Sequence, residues 1–162
     1  MLPTRKKLKN GFSIVEAIVA IFILSIALSA TMRTLVQNSN DANLVNNSFI
    51  ASGLAQEGME VVRNLRDNEW SLNAAWGSIV LDGTWSVQWD SMSLETNSNV
   101  FLKKDNNGFY NYSSGTDTLF KRRIVISSPG PGIEKKIVTT VSWIERGNPK
   151  ILVVEEHLYN WR

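Results

Sequence analysis

The feature that most constrains this chain is an uncharged apolar stretch near its N-terminus, residues 12–32, interrupted by one acidic residue. As an α-helix, these 21 residues would span about 31 Å at 1.5 Å per residue. The hydrocarbon core of a bilayer is about 30 Å thick. The stretch therefore predicts a helix that crosses a membrane once, leaving only the remainder of the chain to build a globular domain.

The charges at the two ends of this stretch predict its orientation. Arg33 is the only charge close to its C-terminal end. Cytoplasmic flanks of membrane helices carry an excess of Lys and Arg, which predicts a cytoplasmic N-terminus and an external domain after Arg33. A secretory signal peptide also begins with basic residues, but residues 29–30 match its small-residue cleavage site only weakly. The cations before the stretch are Arg5, Lys6, Lys7 and Lys9.

Glu16 is the acidic residue inside the apolar stretch. A charge at the centre of a bilayer costs roughly 2.5–3.5 kcal/mol even on the mildest insertion scale. Buried charges persist when they are paired. Glu16 is therefore a candidate functional residue that requires a cationic partner.

The residues around Glu16 resemble the N-terminus of type IV prepilins, a family that includes the pseudopilins of type II secretion and of DNA uptake. The resemblance rests on Lys-Lys-Leu-Lys-Asn-Gly11, on Phe12-Ser-Ile-Val-Glu16 and on the apolar run that follows. It implies that a prepilin peptidase removes a leader, residues 1–11, by cutting after Gly11 and methylates the new N-terminal residue, Phe12. It also implies that Glu16 pairs with the terminal amine of a neighbouring subunit.

The same resemblance implies a location and a set of partners. The protein would first lie in the cytoplasmic membrane, in contact with lipid and an inner-membrane assembly platform. It would then join sister pilins in an extracellular or periplasmic filament. Cleavage after Gly11 would create a positive amine at Phe12, four residues from Glu16, which agrees with the need for a counter-ion. The alternative is an uncleaved signal anchor in which Glu16 lies near the interface or is protonated.

The composition agrees with export of the chain beyond the leader. Four of the 17 basic residues lie in the leader, so 13 remain against 15 acidic residues. The basic isoelectric point therefore does not predict nucleic-acid binding. The absence of cysteine excludes disulfides, thiol catalysis and a lipoprotein anchor. Because many major pilins of the family that the chain resembles carry a disulfide, the resemblance then favours a minor pilin or pseudopilin.

The apolar helix is predicted to continue beyond the membrane to residue 66. Residues 37–48 are rich in Asn and Ser, which are weak helix formers, so a bend or local melting is expected there. Residues 56–67 are similar to a Gln-Glu-Gly-x-Glu pattern of minor, V-type pilin-like proteins, although an amphipathic helix packed on a sheet is the favoured explanation. The apolar positions at helical spacing are Leu54, Gly58, Val61, Val62 and Leu65.

After the helix, the pattern changes to short alternating segments separated by turn residues. The predicted fold class is α+β: a long N-terminal helix, with a transmembrane first half, packs by its second half on a small antiparallel sheet. The predicted domains are the leader 1–11, the helix 12–66 and a β-rich head 67–162. The predicted strands are 84–90, 100–103, 108–112, 121–127, 135–146 and 150–161, with a final turn at 147–148.

The head shows no catalytic, cofactor or metal constellation. His157 and Glu155 share one strand face, which is insufficient for a metal site, so an exposed edge strand is favoured. Residues 105–108 are rich in side-chain oxygens and resemble part of a calcium-binding loop, but a hairpin turn is favoured. Residues 121–123 could contact nucleic-acid phosphates, but a solvated strand edge is favoured.

Three functions follow in order of preference. The first is a structural subunit, a minor pilin or pseudopilin assembled through its N-terminal helix. The second is an unprocessed, single-pass anchored binding module. The third is an exported enzyme, which ranks last because no catalytic group set is visible.

Overall fold

The computed structural model describes residues 13–96, 99–130 and 132–161, which form one long helix followed by six strands. The α+β fold class is therefore confirmed. The strands are all antiparallel and lie in the order β3-β2-β4-β5-β6, with β1 paired to β4 beside β2. The elements are α1 (Ile14–Ser71), β1 (Gly83–Trp85), β2 (Phe101–Lys104), β3 (Tyr110–Asn111), β4 (Thr116–Ser127), β5 (Glu134–Glu145) and β6 (Asn148–Tyr159).

Helix α1 ends later than the sequence pattern predicted. Asn73 adopts a left-handed backbone conformation with φ of 52°. Its amide donates to the carbonyl of Trp70, and the amide of Ala74 donates to the carbonyl of Glu69. These two bonds form a Schellman cap, in which Asn is one of the few residues that tolerate the left-handed position. Helix α1 is continuous through residues 37–48, so the expected local melting is not observed.

The chain divides into two compact units between Asn43 and Leu44. In the first unit, every described side chain from residue 13 to residue 39 is exposed. The second unit contains the C-terminal part of α1 and the whole sheet. The boundary falls inside the Asn- and Ser-rich stretch.

The second unit is held by the predicted apolar stripe of α1, which packs on one face of the sheet. Helix residues Met59, Val62 and Leu65 contact one core cluster. Ala51 and Leu54 contact a second one. Every member of the stripe is buried, as its helical spacing predicted. The sheet residues in these clusters are Leu102, Phe120, Ile124, Ile126, Ile137, Val141, Trp143 and Leu158.

The β5–β6 hairpin has a two-residue turn whose position differs from the predicted one. Glu145 and Asn148 are paired, so the loop consists of Arg146 and Gly147. Both have positive φ, 51° and 78°, as a type I′ turn requires. The turn therefore lies one residue earlier than the predicted 147–148, and Asn148 begins β6.

Two other strand predictions are wrong. The strand predicted over residues 84–90 ends at Trp85. Val87 is buried in the core instead, and the chain turns between Gln88 and Ser91. Residues 121–123 do not form a solvated sheet edge, since β4 pairs with β5 on one side and with β1 and β2 on the other. Strand β4 also begins at Thr116, earlier than predicted.

Candidate functional site

Glu16 lies in the first turn of α1, and its side chain is exposed. A negative charge at this end of a helix interacts favourably with the helix dipole. The carbonyl of Ser13 accepts the first helical hydrogen bond, from the amide of Ala17 at 3.1 Å. Ser13 and Glu16 also have the Ser-x-x-Glu spacing of a capping box, so a local capping role is an alternative to the predicted pairing between subunits.

The remaining predicted processing residues lie outside the described part of the chain. They are Gly11, Phe12 and the leader cations Arg5, Lys6, Lys7 and Lys9.

The described surface that follows Glu16 is apolar. No acidic or basic side chain occurs between Glu16 and Arg33. Ile14 and Phe22 are 80% and 65% exposed. By length and composition, α1 contains one segment that could cross a membrane.

Hydroxyl groups on this segment are satisfied within the helix. Ser25 donates to the carbonyl of Ile21 at 2.8 Å, and Ser29 donates to the carbonyl of Ser25 at 2.8 Å. Thr31 repeats the pattern. Polar groups without water must find partners internally, so these side chains suit an apolar environment. Glu16 is the one charged group on the described segment from residue 13 to residue 32.

In the head, the charged residue Arg122 is fully buried and bonds to more than one element. Its guanidinium donates to the carbonyl of Leu54 and to the carboxylate of Glu57, each at 2.8 Å, and to the carbonyl of Val87. It therefore joins α1, β4 and the segment after β1. Sequence reasoning missed this role, although strand alternation places Arg122 on the same face as Phe120.

Gly58 makes room for this contact. A Cβ atom at Gly58 would lie 3.1 Å from Arg122 Cδ and 3.2 Å from Ile124 Cδ1. Together with Glu57, it explains the Gln-Glu-Gly part of the sequence pattern as packing of α1 on the sheet.

The other charged residues of that helix segment also serve the head. Arg63 pairs with Glu60 at 2.5 Å and with Glu156 of β6 at 2.6 Å. The Asp67 carboxylate pairs with Arg66 at 2.8 Å.

Glu69 was not singled out from the sequence. It is fully buried. Its carboxylate accepts from the amides of Gly77 and Ile79 and from the hydroxyl of Ser78. These bonds hold the loop that follows α1 against the end of the helix.

His157 lies on β6, which is the edge strand of the sheet, as predicted. Its two ring nitrogens face the carboxylates of Glu134 and Glu155, the second at 3.0 Å. Hydrogen bonds that the protonated ring donates to the carboxylates of Glu134 and Glu155 raise the pKa of His157 above its ordinary value. Hydrogen bonds from Lys136 and then His157 lower the pKa of Glu155. The arrangement is a surface ion-pair network.

Residues 105–108 form the hairpin turn between β2 and β3. The Asp105 side chain accepts from the amides of Asn107 and Phe109 at 2.8 and 2.9 Å. Its carboxylate is thus used by the turn itself. Within the described residues, no group of three or more His, Cys, Asp or Glu side chains is placed to hold a metal ion.

The comparisons with known proteins bear on the N-terminal segment. Residues 6–32 match the prokaryotic N-terminal methylation motif, a range that contains Gly11, Phe12 and Glu16. No curated protein and no solved structure matches the chain. The motif and the apolar helix fit a membrane-anchored, single-pass protein, and motif and fold together point to a structural protein. The chain thus carries a class III, type IV prepilin-like leader, as expected of a type IV pilin-like precursor.

Proposed function

We propose that this chain is a minor pilin or pseudopilin, a subunit of a type IV pilus-like or type II secretion-like filament. In this proposal, a prepilin peptidase removes residues 1–11 and methylates Phe12. The mature chain leaves the cytoplasmic membrane through an assembly platform and enters a helical filament by its N-terminal helix. The observation that carries the proposal is the methylation motif at residues 6–32.

The described helix supports this proposal physically. Residues 14–32 expose an apolar surface with internally bonded hydroxyls and one carboxylate. Such a surface requires lipid or other apolar helices as partners. After cleavage, the amine of Phe12 in a neighbouring subunit would supply the positive charge that Glu16 needs in those surroundings.

The first prediction concerns processing. Mass spectrometry of the protein from its native host should find a mature N-terminus at methylated Phe12. Gly11→Val places a branched side chain next to the scissile bond, so full-length precursor should accumulate in the membrane. Asn10→Val is the matched control and should be processed. An intact Met1 start in the wild type would instead identify an unprocessed, anchored binding module.

The second prediction separates the two roles of Glu16. Glu16→Gln keeps an acceptor for a capping box but removes the charge. If charge pairing drives assembly, Glu16→Gln and Glu16→Ala should both be processed normally and should both be depleted from purified filaments, by about tenfold for a lost pairing of about 1.4 kcal/mol. Incorporation of Glu16→Gln at the wild-type level would show that the carboxylate acts only as a helix cap.

A further inference from the structure

We propose that the outer face of the sheet, which is the face turned away from α1, carries a groove that binds the loop 89–95 of a second copy of this chain. The inference deepens the proposed function and rests on it, because assembly into a filament places heads side by side. It adds the surface and the residues through which heads would contact one another.

The groove consists of two adjoining cavities of about 390 and 280 Å³. The larger cavity lies beside β4, between the part of β4 that pairs with β2 and the part that pairs with β1. The first part ends at Lys121 and the second begins at Ile124. The smaller continues over apolar side chains that include Phe101 and Ile144. The two cavities share Lys121 and Ile151. The result is one concave surface with a cationic half and an apolar half.

Two cations of this groove, Lys121 and Arg123, lack acidic partners among the described residues, whereas Arg122 is paired with Glu57 on the helix side of the sheet. The guanidinium of Arg123 makes no ion pair or hydrogen bond within the described chain. The ammonium of Lys121 contacts the amide oxygen of Asn99 at 3.3 Å and the ring of Phe101 at 4.4 Å. No described residue lining either cavity is acidic. Arginine recognises carboxylates through paired donors, so the groove suits an acidic group.

The apolar half of the groove is exposed to solvent, so we expect a binding partner to cover it. Ile144 and Ile151 are 64% and 65% exposed, and Phe101 is 43% exposed. Contiguous exposed apolar surface beside polar groups is typical of interaction sites. The ligand should therefore present a carboxylate next to bulky apolar side chains.

The loop 89–95 of this same chain has that chemistry. Met92 is 89% exposed and Trp89 is 48% exposed. Asp90 and Glu95 are exposed, and neither pairs with a basic residue in the described part of the chain. The loop thus offers two carboxylates beside two apolar side chains, complementary in charge and polarity to the groove.

Groove and loop are different surfaces of one head, with no lining residue in common. A contact between two different surfaces is heterologous, and such contacts generate open helical assemblies when they do not close into rings. A second copy is therefore an occupant consistent with a filament subunit.

Cysteine cross-linking tests this contact directly, because the native chain has no cysteine. Full-length Met92→Cys and Ile151→Cys, with different affinity tags, are mixed in detergent micelles and oxidised. The proposal predicts a mixed-tag dimer. Met92→Cys mixed with Asn106→Cys, on the exposed β2–β3 turn, is the matched control. A mixed-tag yield no greater than that of the control would overturn the proposal.

A charge swap supplies a second readout. Lys121→Glu with Arg123→Glu on the Ile151→Cys copy should lower the mixed-tag yield about fivefold, since each exposed pair contributes modestly. Asp90→Lys with Glu95→Lys on the Met92→Cys copy should restore it. Failure of restoration, with unchanged thermal unfolding of the variants, would show that charge does not guide the contact. Cross-linking needs no peptidase, so its failure alongside normal Phe12 processing refutes this contact and leaves the proposed function standing.

Discussion

At the scale of single residues, the head depends on a charge that is removed from water. Arg122 replaces its hydration with two backbone carbonyls and one carboxylate. Glu57, its acidic partner, keeps a side chain that is 31% exposed. A buried pair of this kind is costly to break, because the remaining partners lose their donors. It also specifies where the helix sits along the sheet, since the guanidinium reaches a helix carbonyl at one position only.

A stability measurement tests this residue. Arg122→Met should lower the free energy of unfolding of the head by about 2–4 kcal/mol, because two buried carbonyls and Glu57 lose their donor. Arg123→Met, the adjacent exposed residue without a partner in the described chain, should change it by about 0.5 kcal/mol or less. Urea unfolding of the full chain in detergent, followed by tryptophan fluorescence, compares the two. Equal effects would contradict a special role for Arg122.

At the scale of elements, α1 carries two kinds of surface along one continuous helix. Residues 13–39 are exposed throughout, whereas Ala51, Leu54, Val62 and Leu65 are buried against the sheet. Residues 34–43, which are rich in Asn, follow the apolar stretch and precede Ala51, the first helix residue buried against the sheet. Most helix stability in proteins comes from packing rather than from propensity, so this intermediate part of α1 should be its least stable part.

Hydrogen exchange of the full chain in detergent micelles tests that expectation. Amides of residues 51–66 should exchange slowly, because they open only with the head. Amides of residues 14–32 should be protected by the detergent. Amides of residues 34–43 should exchange at least about tenfold faster than the amides of residues 14–32 and 51–66. This factor corresponds to a free energy of local opening that is lower by at least about 1.4 kcal/mol. Uniform protection from residue 33 to residue 50 would show that the Asn- and Ser-rich stretch is as stable as the rest.

At the scale of the whole molecule, the chain separates a helical segment long and apolar enough to cross a membrane from a head with its own core. The N-terminal unit exposes an apolar surface with one charge, Glu16, between residues 13 and 32, and the head has its own core and its own exposed patches. In the proposed function, this division would let one chain exist first in lipid and later among sister helices without refolding its head. It also means that variants of the groove and variants of Glu16 should affect different measurements, namely head contacts and entry into the filament.

The sequence alone determined the N-terminal helix, its leader and the amphipathic stripe, because each depends on local composition or on a period within one element. The β5–β6 hairpin followed from alternation and from a Gly-containing turn, with an error of one residue. Only the tertiary structure decided that Arg122 is buried and that β1 ends at Trp85. Both depend on which distant segments pack together, since the same alternating segment is a solvated edge or a central strand according to its neighbours.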